Sequence, residues 1–284
     1  MDYFGFQDKT AVVTGAASGM GEAAAQMLVD LGAHVHAVGR NKPILTPVEK
    51  TYKADLGDKA DIERLLTELP EKIDAVFLCQ GMAQTKDNHL RLMLVNYLGV
   101  RTLAEALAPR VADGGSITLI SSNGGFGWER DFAACKEVLD LAAWDDAVAW
   151  FEAHDEKLMD AYRFSKRLLN TYVQYKVHDP LYIARKLRLN AICPGNTITA
   201  LTDEFNRNTS PNGDPEEGRK IIESLFQKSW DGRWATAEEM GWPMVAIGSR
   251  LFSYMSGQVI MFDYGLTSVW NIEELQGITD HFHR

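Results

Sequence analysis

A glycine-rich turn between a short strand and a helix constrains the fold of this chain more than any other feature. Thr10–Thr14 is a β-branched strand pattern, and Gly21–Leu31 has the apolar spacing of an amphipathic helix. Gly15 permits a tight turn, Gly19 lets the backbone approach a pyrophosphate, and Gly21 allows the helix to pack closely on the sheet. A glycine turn that only starts a helix is the alternative, and the flanking strand and helix make it the weaker interpretation.

Strands alternate with helices along the remaining sequence. This order predicts an α/β fold, a single Rossmann-type doubly wound parallel sheet with helices on both faces. No internal repeat or linker interrupts the pattern, so residues 1–284 are predicted to form one domain. The further predicted strands are His34–Val38, Ala75–Cys79, Ser116–Ile120, Leu187–Ile192 and Gln258–Phe262, and the further predicted helices are Asp58–Leu69, Leu90–Val111 and Asp160–Tyr175.

Two segments fall outside this alternation. Residues 123–161 are predicted to be a helical insertion, because apolar residues recur at helical spacing over Phe132–His154. Residues 201–241 are predicted to be a substrate loop, with Asn206–Gly213 as its mobile part before another helix. Both segments follow strands at the carboxyl edge of the sheet, where open α/β sheets bind ligands.

Composition excludes several classes of partner. The formal net charge of −10 argues against nucleic acid and anionic membranes, and no apolar run reaches bilayer length. The first residues lack the basic start and the apolar core of a signal peptide. Three widely spaced cysteines suit reduced thiols and do not suggest a metal site. We therefore expect a cytoplasmic protein that binds no metal, no nucleic acid and no membrane.

The end of the second strand bears on the choice of dinucleotide. It reads Val38-Gly39-Arg40, with no carboxylate to hydrogen-bond a ribose 2′-hydroxyl. The guanidinium of Arg40 is suited to a 2′-phosphate, so NADP(H) is favoured and NAD(H) is possible. The alternative is that Arg40 is a solvated loop charge and that either cofactor is used. Asp55 is a candidate acceptor for the adenine amino group.

Tyr162 and Lys166 are four residues apart and therefore lie on one face of a predicted helix. A tyrosine has an unperturbed pKa of about 10, and a nearby ammonium is expected to lower it into the range of a useful base. The pair alone is unspecific. Together with the glycine turn, Ser122 and Asn96, it points to a nicotinamide-dependent alcohol/ketone oxidoreductase.

In this order the motifs resemble the short-chain dehydrogenase/reductase superfamily, over nearly the whole chain. The resemblance implies that Tyr162 transfers the proton, while Lys166 lowers its pKa together with the nicotinamide and holds the ribose hydroxyls. It implies that Ser122 hydrogen-bonds the substrate oxygen and that Asn96 bends its helix and holds a water. The cofactor-binding residues that it implies are Gly15, Ser18, Gly19, Met20, Gly21, Gly39, Arg40, Asp55, Leu56, Gln80, Gly81, Tyr162, Lys166, Pro194, Gly195, Thr197 and Thr199.

One motif departs from the family pattern. The chain has Leu78-Cys79-Gln80-Gly81 where the family usually has Asn-Asn-Ala-Gly. Within the superfamily, this stretch, Gln84-Thr85-Lys86 and the long gap between Ser122 and Tyr162 resemble the bacterial hydroxysteroid dehydrogenase/carbonyl reductases and the coniferyl-alcohol dehydrogenases. The expected substrate is accordingly a bulky apolar secondary alcohol or ketone, with a hydroxysteroid such as a bile acid favoured and an aryl alcohol of the coniferyl type as the alternative.

Large aromatic residues are expected to line the substrate pocket, walled by the insertion, the 201–241 segment and the C-terminal tail. A catalytically silent regulator that senses dinucleotides is the alternative of another class, and the intact catalytic set disfavours it. We expect a homodimer or homotetramer whose contacts differ from the helix pair common in this family, because the insertion lies beside that pair. The candidate lining residues are Phe126, Trp128, Phe205, Trp230 and Trp270.

Overall fold

The computed structural model describes residues 2–43, 47–226 and 232–277. Within these residues, the strands are β1 (Thr10–Thr14), β2 (His34–Gly39), β3 (Lys50–Lys53), β4 (Ile73–Leu78), β5 (Val111–Ile120), β6 (Arg188–Pro194) and β7 (Val259–Phe262). They form one parallel seven-stranded sheet in the order β3-β2-β1-β4-β5-β6-β7. The chain order reverses between β1 and β4, and a crevice is expected at the carboxyl ends of these strands. The predicted doubly wound α/β fold is confirmed.

Helices cover both faces of the sheet. They are α1 (Gly19–Asp30), α2 (Lys59–Glu68), α3 (His89–Met93), α4 (Gly99–Leu107), α5 (Phe132–Asp140), α6 (Trp144–Ala153), α7 (Asp155–Leu158), α8 (Ala161–Lys176), α9 (Pro180–Arg185), α10 (Ala200–Thr209), α11 (Pro215–Phe226), α12 (Glu238–Gly248) and α13 (Leu266–Leu275). Among these described helices, none has both the length and the apolarity that a bilayer crossing needs.

Small residues let α1 and α12 approach closely on one face of the sheet. Ala24 is fully buried, and a Cβ atom at Gly241 would lie 2.7 Å from the backbone nitrogen of Ala24. The opposite face is covered by α2, α4 and α8, whose buried side chains join those of the strands in a second apolar cluster. The sheet is therefore buried on both faces, as a parallel sheet requires.

The predicted single helix Leu90–Val111 is wrong in two respects. A π-helical turn over Leu94–Leu98 separates α3 from α4, and Asn96 sits in the middle of this turn. At the other end a 3-10 turn, Ala108–Arg110, contains Pro109, which has no N–H for the helix, and Val111 already belongs to β5. Single π turns of this kind occur often at functional sites.

The predicted insertion, residues 123–161, forms α5, α6 and α7 and packs on α8, on α3 and on the π-helical turn. Val138 and Phe151 are fully buried, and the Phe151 ring meets Tyr97 edge to face at a centroid distance of 6.4 Å. Arg101 on α4 donates a hydrogen bond of 3.2 Å to the Val138 carbonyl. The insertion therefore extends the core beside the catalytic helix instead of forming a lid.

The predicted mobile loop Asn206–Gly213 is also wrong in its first half, because residues 206–209 belong to α10. Thr199 and Thr202 form a capping box that starts this helix. Beyond α10, the Ser210 hydroxyl accepts hydrogen bonds from the backbone of Asn212 at 3.3 Å and of Asp214 at 3.1 Å. Side-chain caps thus order a segment whose polar composition suggests a loop.

Candidate active site

The glycine turn forms a concave backbone surface at the start of α1. Gly15 has a φ of +65°, and a Cβ atom there would lie 2.7 Å from the Cys79 carbonyl oxygen. A Cβ atom at Gly21 would overlap the Gly15 carbonyl, so α1 begins directly against the turn. Ser18 precedes α1 without a side-chain cap among the described residues. The first N–H groups of α1 thus remain available to an anion, and the turn fits a dinucleotide pyrophosphate.

The adenosine end of the cleft has one exposed arginine and one ion-paired carboxylate. Arg40 follows Gly39 at the end of β2 and is exposed on the rim of the cleft. Asp55, after β3, accepts a hydrogen bond from Arg91 and another of 3.0 Å from the Gly57 backbone. Although burial opposes them, these bonds lower the pKa of Asp55. Asp55 therefore reaches the cleft as an anion that is already paired.

The floor of the cleft differs chemically from the family pattern at Gln80. The Gln80 amide oxygen accepts a hydrogen bond from the Thr14 hydroxyl, which in turn accepts one of 3.2 Å from the Cys79 backbone. This arrangement turns the buried Gln80 side chain toward β1, and its amide nitrogen has no partner within the described residues. Cys79 and Gln80 thus connect β4 to β1 under the glycine turn.

The segment after β6 closes the cleft opposite the glycine turn. Thr197 donates a hydrogen bond of 3.0 Å to the Gly195 carbonyl and pairs with Ala235 in an isolated bridge. The methyl group of Thr199 would lie 3.4 Å from a Cβ atom at Gly19, so the two segments face each other. All of the predicted cofactor residues border this one cleft, which has a volume of about 1400 Å³. That they bind the cofactor stays a prediction.

The three predicted catalytic residues on the cleft come from two elements. Ser122 is the second residue after β5, is buried, and accepts a hydrogen bond of 3.0 Å from the Gly124 backbone. Tyr162 and Lys166 lie one turn apart on α8, as the four-residue spacing predicts. The Lys166 ammonium donates to the Ile120 carbonyl at 3.3 Å and lies 5.7 Å from the centroid of the Tyr162 ring.

Burial dominates the electrostatics of this group. It raises the pKa of Tyr162, a rise that the hydrogen bond with Ser122 partly opposes. It also lowers the pKa of Lys166 to about 8. Burial of the phenol thus acts against the expected lowering, and the lowering of the Tyr162 pKa by Lys166 together with the positive nicotinamide stays a prediction.

Asn96 lies behind the cleft and binds the backbone of Met82, a residue of the cleft wall. Its side-chain oxygen accepts a hydrogen bond of 2.8 Å from the Met82 N–H, and its amide donates one of 3.1 Å to the Met82 carbonyl. Asn96 is fully buried within the π-helical turn, so the helix departs from α-helical geometry at this residue. That Asn96 bends the helix and holds a water stays a prediction. Its side chain fixes the loop that leaves β4.

The substrate end of the cleft is lined by α10, α11 and α13 and by the segment around residue 234. The Phe205 ring meets the Tyr162 ring edge to face at a centroid distance of 4.8 Å, and Trp270 also borders the cleft. Phe126 and Trp128 are not among the lining residues; Phe126 meets Trp270 edge to face at a centroid distance of 6.5 Å. Trp230 lies outside the described residues. From the insertion, only its two ends reach the cleft.

Comparison with known proteins identifies the family. A family model described as short chain dehydrogenase matches residues 9–134, and one described as enoyl-(acyl carrier protein) reductase matches residues 153–267. A coniferyl-alcohol dehydrogenase from a Pseudomonas species is 33% identical over 198 residues, which make up 70% of this chain and 76% of the relative. The chain belongs to the short-chain dehydrogenase/reductase family. It is therefore an oxidoreductase of a family that binds NAD(P).

Solved structures share the fold of this short-chain dehydrogenase/reductase. The 3-alpha-hydroxysteroid dehydrogenase from Pseudomonas sp. B-0831, complexed with NADH, has a TM-score of 0.71 and 22% identity and covers 93% of this chain and 99% of its own. A Beutenbergia cavernae structure described as an NAD(P)-dependent gluconate 5-dehydrogenase, with bound NADP, has a TM-score of 0.69 and 24% identity and covers 94% and 99%. At these identities the likeness concerns the fold alone.

The tasks that the chemistry of the family implies for these side chains stay predictions, and the geometry is compatible with each of them. When bound, the nicotinamide accepts or supplies the hydride. Tyr162 is placed to take the proton from an alcohol or to return it to the developing alkoxide. Ser122 can hydrogen-bond the same oxygen and favours the alkoxide-like transition state. Lys166 is placed between β5 and Tyr162 and can hold the ribose hydroxyls of the cofactor.

Two residues of this framework were not singled out as site residues from the sequence. Asn170, one turn after Lys166 on α8, accepts a hydrogen bond of 2.6 Å from Ser121 and donates one of 3.1 Å to Gly125. It thereby binds the Ser121 side chain before Ser122 and the Gly125 backbone after it. Its spacing of four residues from Lys166 could have indicated a shared buried face. Gln84 was noted only as part of a motif, and its contacts could not be inferred from local spacing.

Proposed function

We propose that this enzyme interconverts the alcohol and carbonyl forms of a bulky aryl alcohol, of the coniferyl type, with NADP(H) as its preferred cofactor. The observation that carries the proposal is the aromatic wall at the catalytic tyrosine: Phe205 stands 4.8 Å from the Tyr162 ring, centroid to centroid. A flat aromatic substrate can pack along Phe205 while its alcohol carbon lies at the Tyr162 hydroxyl. The coniferyl-alcohol dehydrogenase at 33% identity supports the same substrate class.

Two polar atoms further along the cleft support a substrate that carries oxygen functions on its ring. The side-chain oxygen of Asn206 and the indole nitrogen of Trp234 are buried and have no hydrogen-bond partner among the described residues. Both residues border the cleft. Neither atom is exposed in the cleft, so a small rotation of the side chain would let a phenolic hydroxyl donate to Asn206 or an ether or hydroxyl oxygen accept from Trp234. Buried polar groups are costly to leave without partners, so a hydroxylated ring is favoured over a plain hydrocarbon.

A hydroxysteroid is the second candidate, and the size of the cleft favours it. The volume of about 1400 Å³ exceeds the roughly 300–1,000 Å³ of a typical single-ligand pocket. The cleft extends from the glycine turn to Ile222 and Trp270 and can accommodate more than a cofactor. Burial of apolar area contributes about 0.8 kcal/mol per methylene, so a fused-ring substrate would be bound tightly if it fits past Phe205.

Arg40 supports NADP(H) as the preferred cofactor. It stands on the cleft rim directly after Gly39, and the residues that border the cleft there are Gly39, Arg40 and Asn41, none of them acidic. Its guanidinium can form two charge-assisted hydrogen bonds with a 2′-phosphate, whereas a 2′-hydroxyl can form only one neutral contact with it. NAD(H) is the alternative if this arginine stays solvated.

Steady-state kinetics with a substrate panel tests the proposal. The panel contains coniferyl alcohol, cinnamyl alcohol without the phenol, a 3-hydroxysteroid and a short aliphatic alcohol, each with NADP⁺ and with NAD⁺. We expect the highest kcat/KM for coniferyl alcohol with NADP⁺, and a lower value for cinnamyl alcohol. A higher value for the steroid would select the second candidate, and a higher value for the aliphatic alcohol would refute both. Tight cofactor binding without any turnover would instead support a dinucleotide-sensing regulator.

We also propose a homo-oligomer that does not use the bare helix pair α4 and α8. Within the same chain, the insertion packs on α8 and binds α4 through the hydrogen bond from Arg101 to the Val138 carbonyl. A second copy at this pair would therefore meet the insertion beside it. Size-exclusion chromatography with light scattering should show a dimer or tetramer, and cross-links should avoid residues 99–107 and 161–176. A monomer, or cross-links between these helices, would refute the proposal.

A further inference from the structure

The catalytic helix α8 begins without a local cap. Its N-cap residue is Asp160, whose side chain makes no capping hydrogen bond in the part of the chain that the structure describes. The first N–H groups of a helix have no partner within the helix and must find one elsewhere. Tyr162 is the second residue of α8, so its own N–H is one of these groups. The backbone of the catalytic tyrosine therefore depends on a partner from another element.

Gln84 supplies that partner from 78 positions earlier in the chain. Its side-chain oxygen accepts a hydrogen bond of 2.9 Å from the Tyr162 N–H. Its side-chain nitrogen donates one of 3.0 Å to the Met159 carbonyl, at the end of the insertion, and also lies 3.4 Å from the Nε2 atom of His89. One amide thus holds the last turn before α8 and the first turn of α8 at the same time.

The loop that carries Gln84 is itself fixed on both sides. Before it, Asn96 holds both backbone groups of Met82. After it, the Asn88 side chain accepts a hydrogen bond of 2.7 Å from the Thr85 N–H and donates one of 2.9 Å to the Ala83 carbonyl. The loop is therefore fixed on both sides of Gln84, by the buried Asn96 and by the half-buried Asn88.

The substrate helix is connected to the same residue. Asn208 on α10 donates a hydrogen bond of 3.0 Å to the Gln84 carbonyl. One turn earlier on α10, Phe205 contacts the Tyr162 ring. The two helices that face each other across the substrate end, α8 and α10, thus both bind Gln84, one at its side chain and the other at its backbone.

We propose that Gln84 is the positioning residue of the catalytic tyrosine: as the remote cap of α8, it fixes Tyr162 relative to Ser122 and to the substrate helix. It touches neither the proton nor the hydride that moves. Its effect is on geometry, and misplacement of a reacting group by about 1 Å can lower a rate by roughly a hundredfold. Loss of the cap should therefore affect kcat more than binding.

The test compares Gln84→Met, Gln84→Glu and Gln174→Met with the wild-type enzyme. Gln84→Met keeps the approximate volume and removes both hydrogen bonds, whereas Gln84→Glu keeps the acceptor for the Tyr162 N–H. Gln174 is an exposed residue near the other end of α8, so Gln174→Met makes the same chemical change without removing the cap. The readouts are kcat, KM, the cofactor Kd, the melting temperature and the pH profile, measured with the panel alcohol that wild type oxidises fastest.

We expect Gln84→Met to lower kcat roughly ten- to hundredfold, with KM and the cofactor Kd within about twofold and a melting temperature lowered by less than about 4 °C. Its pH profile should shift upward, because a longer bond to Ser122 lowers the pKa of Tyr162 less. Gln84→Glu should retain at least about a third of kcat, and Gln174→Met all of it. Unchanged kcat in Gln84→Met, or a joint loss of kcat, cofactor affinity and stability in both Gln84 variants, would overturn the inference.

The inference rests on the proposed alcohol/carbonyl chemistry only for its kinetic readout. If wild type oxidises none of the panel alcohols, the substrate proposal fails, and the Tyr162 titration decides the inference alone. That titration is the ultraviolet difference between each NADP⁺-bound protein and its Tyr162→Phe counterpart. An upward shift of its midpoint in Gln84→Met supports the positioning role, and an unchanged midpoint contradicts it.

Discussion

The cofactor side of the cleft is shaped by the backbone, whereas the substrate side is shaped by side chains. On the cofactor side the shape comes from the backbone, because Gly15 has a positive φ and there is no room for a Cβ atom at Gly21. On the substrate side the shape comes from side chains on α10 and α13, such as Phe205 and Trp270. The cofactor side therefore tolerates few residue types, whereas the substrate side can change specificity by single replacements.

The insertion forms neither the cofactor side nor the substrate side of the cleft, although its position in the sequence suggests that it covers the substrate. It follows Ser122 at the carboxyl edge, yet its helices pack on α8, α3 and the π-helical turn and not over the cleft. It supports the catalytic helix from behind, just as Asn96 supports the cleft wall. Both sides of the cleft thus rest on the same rigid body, which consists of the sheet, its helices and the insertion.

The largest stability effect is expected at Phe151, which tests whether the insertion is part of that rigid body. Phe151 is fully buried against Tyr97, so Phe151→Ala should lower the free energy of unfolding by about 3–5 kcal/mol. Phe132, on the first insertion helix, is 45% exposed, so Phe132→Ala should change the free energy of unfolding by less than about 0.5 kcal/mol. Urea unfolding measures both. Equal small effects would mean that the insertion is a separable addition.

The next effect concerns Lys166, where function and stability are opposed. Lys166 is buried, and its pKa is lowered from 10.5 to about 8. Lys166→Met should therefore raise the free energy of unfolding at pH 7 by up to about 3 kcal/mol while abolishing turnover. The same change at exposed Lys72 should leave both within experimental error.

The pH dependence of this effect has a definite sign. Burial disfavours the charged lysine in the folded state, so between pH 8 and 10.5 the unfolded chain binds more protons. The stability of the wild-type protein should therefore rise across this window relative to Lys166→Met, and the advantage of the variant should shrink. A constant difference between the two proteins from pH 7 to 10.5 would mean that Lys166 does not titrate in this range.

A smaller effect, on the choice between NADP⁺ and NAD⁺, is expected at Arg40. Here the cofactor side depends on a side chain and not on the backbone. Arg40→Asp should lower kcat/KM for NADP⁺ by about ten- to a hundredfold and raise the relative use of NAD⁺. Lys42→Ala is the control, with little effect on either. Gly39 is the wrong place for the carboxylate, because a Cβ atom there would lie 2.6 Å from the Asn41 carbonyl. A wild-type enzyme that prefers NAD⁺ would refute the role of Arg40.

Much of the cofactor side could be predicted from sequence, because its determinants are local. The strand–glycine–helix pattern, the four-residue spacing of Tyr162 and Lys166, and Ser122 after a strand all lead to one cleft. The π-helical turn was not foreseen as such, but Asn96 within a predicted helix marked its place. Strand ends and helix faces follow from periodicity, and a parallel sheet brings the strand ends together.

The substrate side could not be predicted to the same degree, because its determinants are tertiary. The sequence does not show which of the candidate aromatic rings border the cleft, and Phe126 and Trp128 do not. Polar composition hid the helix at 206–209, which depends on the cap at Thr199. The pKa of Tyr162 depends on burial, and the cap of α8 by Gln84 joins residues 78 apart. Local patterns carry none of this information.

The central claim is that Tyr162 transfers the proton in an alcohol–carbonyl interconversion on a preformed cofactor site. The most direct measurement follows NADPH formation from coniferyl alcohol by wild type and by Tyr162→Phe, with NADP⁺ affinity determined for both proteins by fluorescence. The account predicts turnover by wild type, a loss of about a hundred- to ten-thousand-fold or more in kcat for Tyr162→Phe, and NADP⁺ affinities within about twofold. Comparable turnover by the two proteins would contradict it.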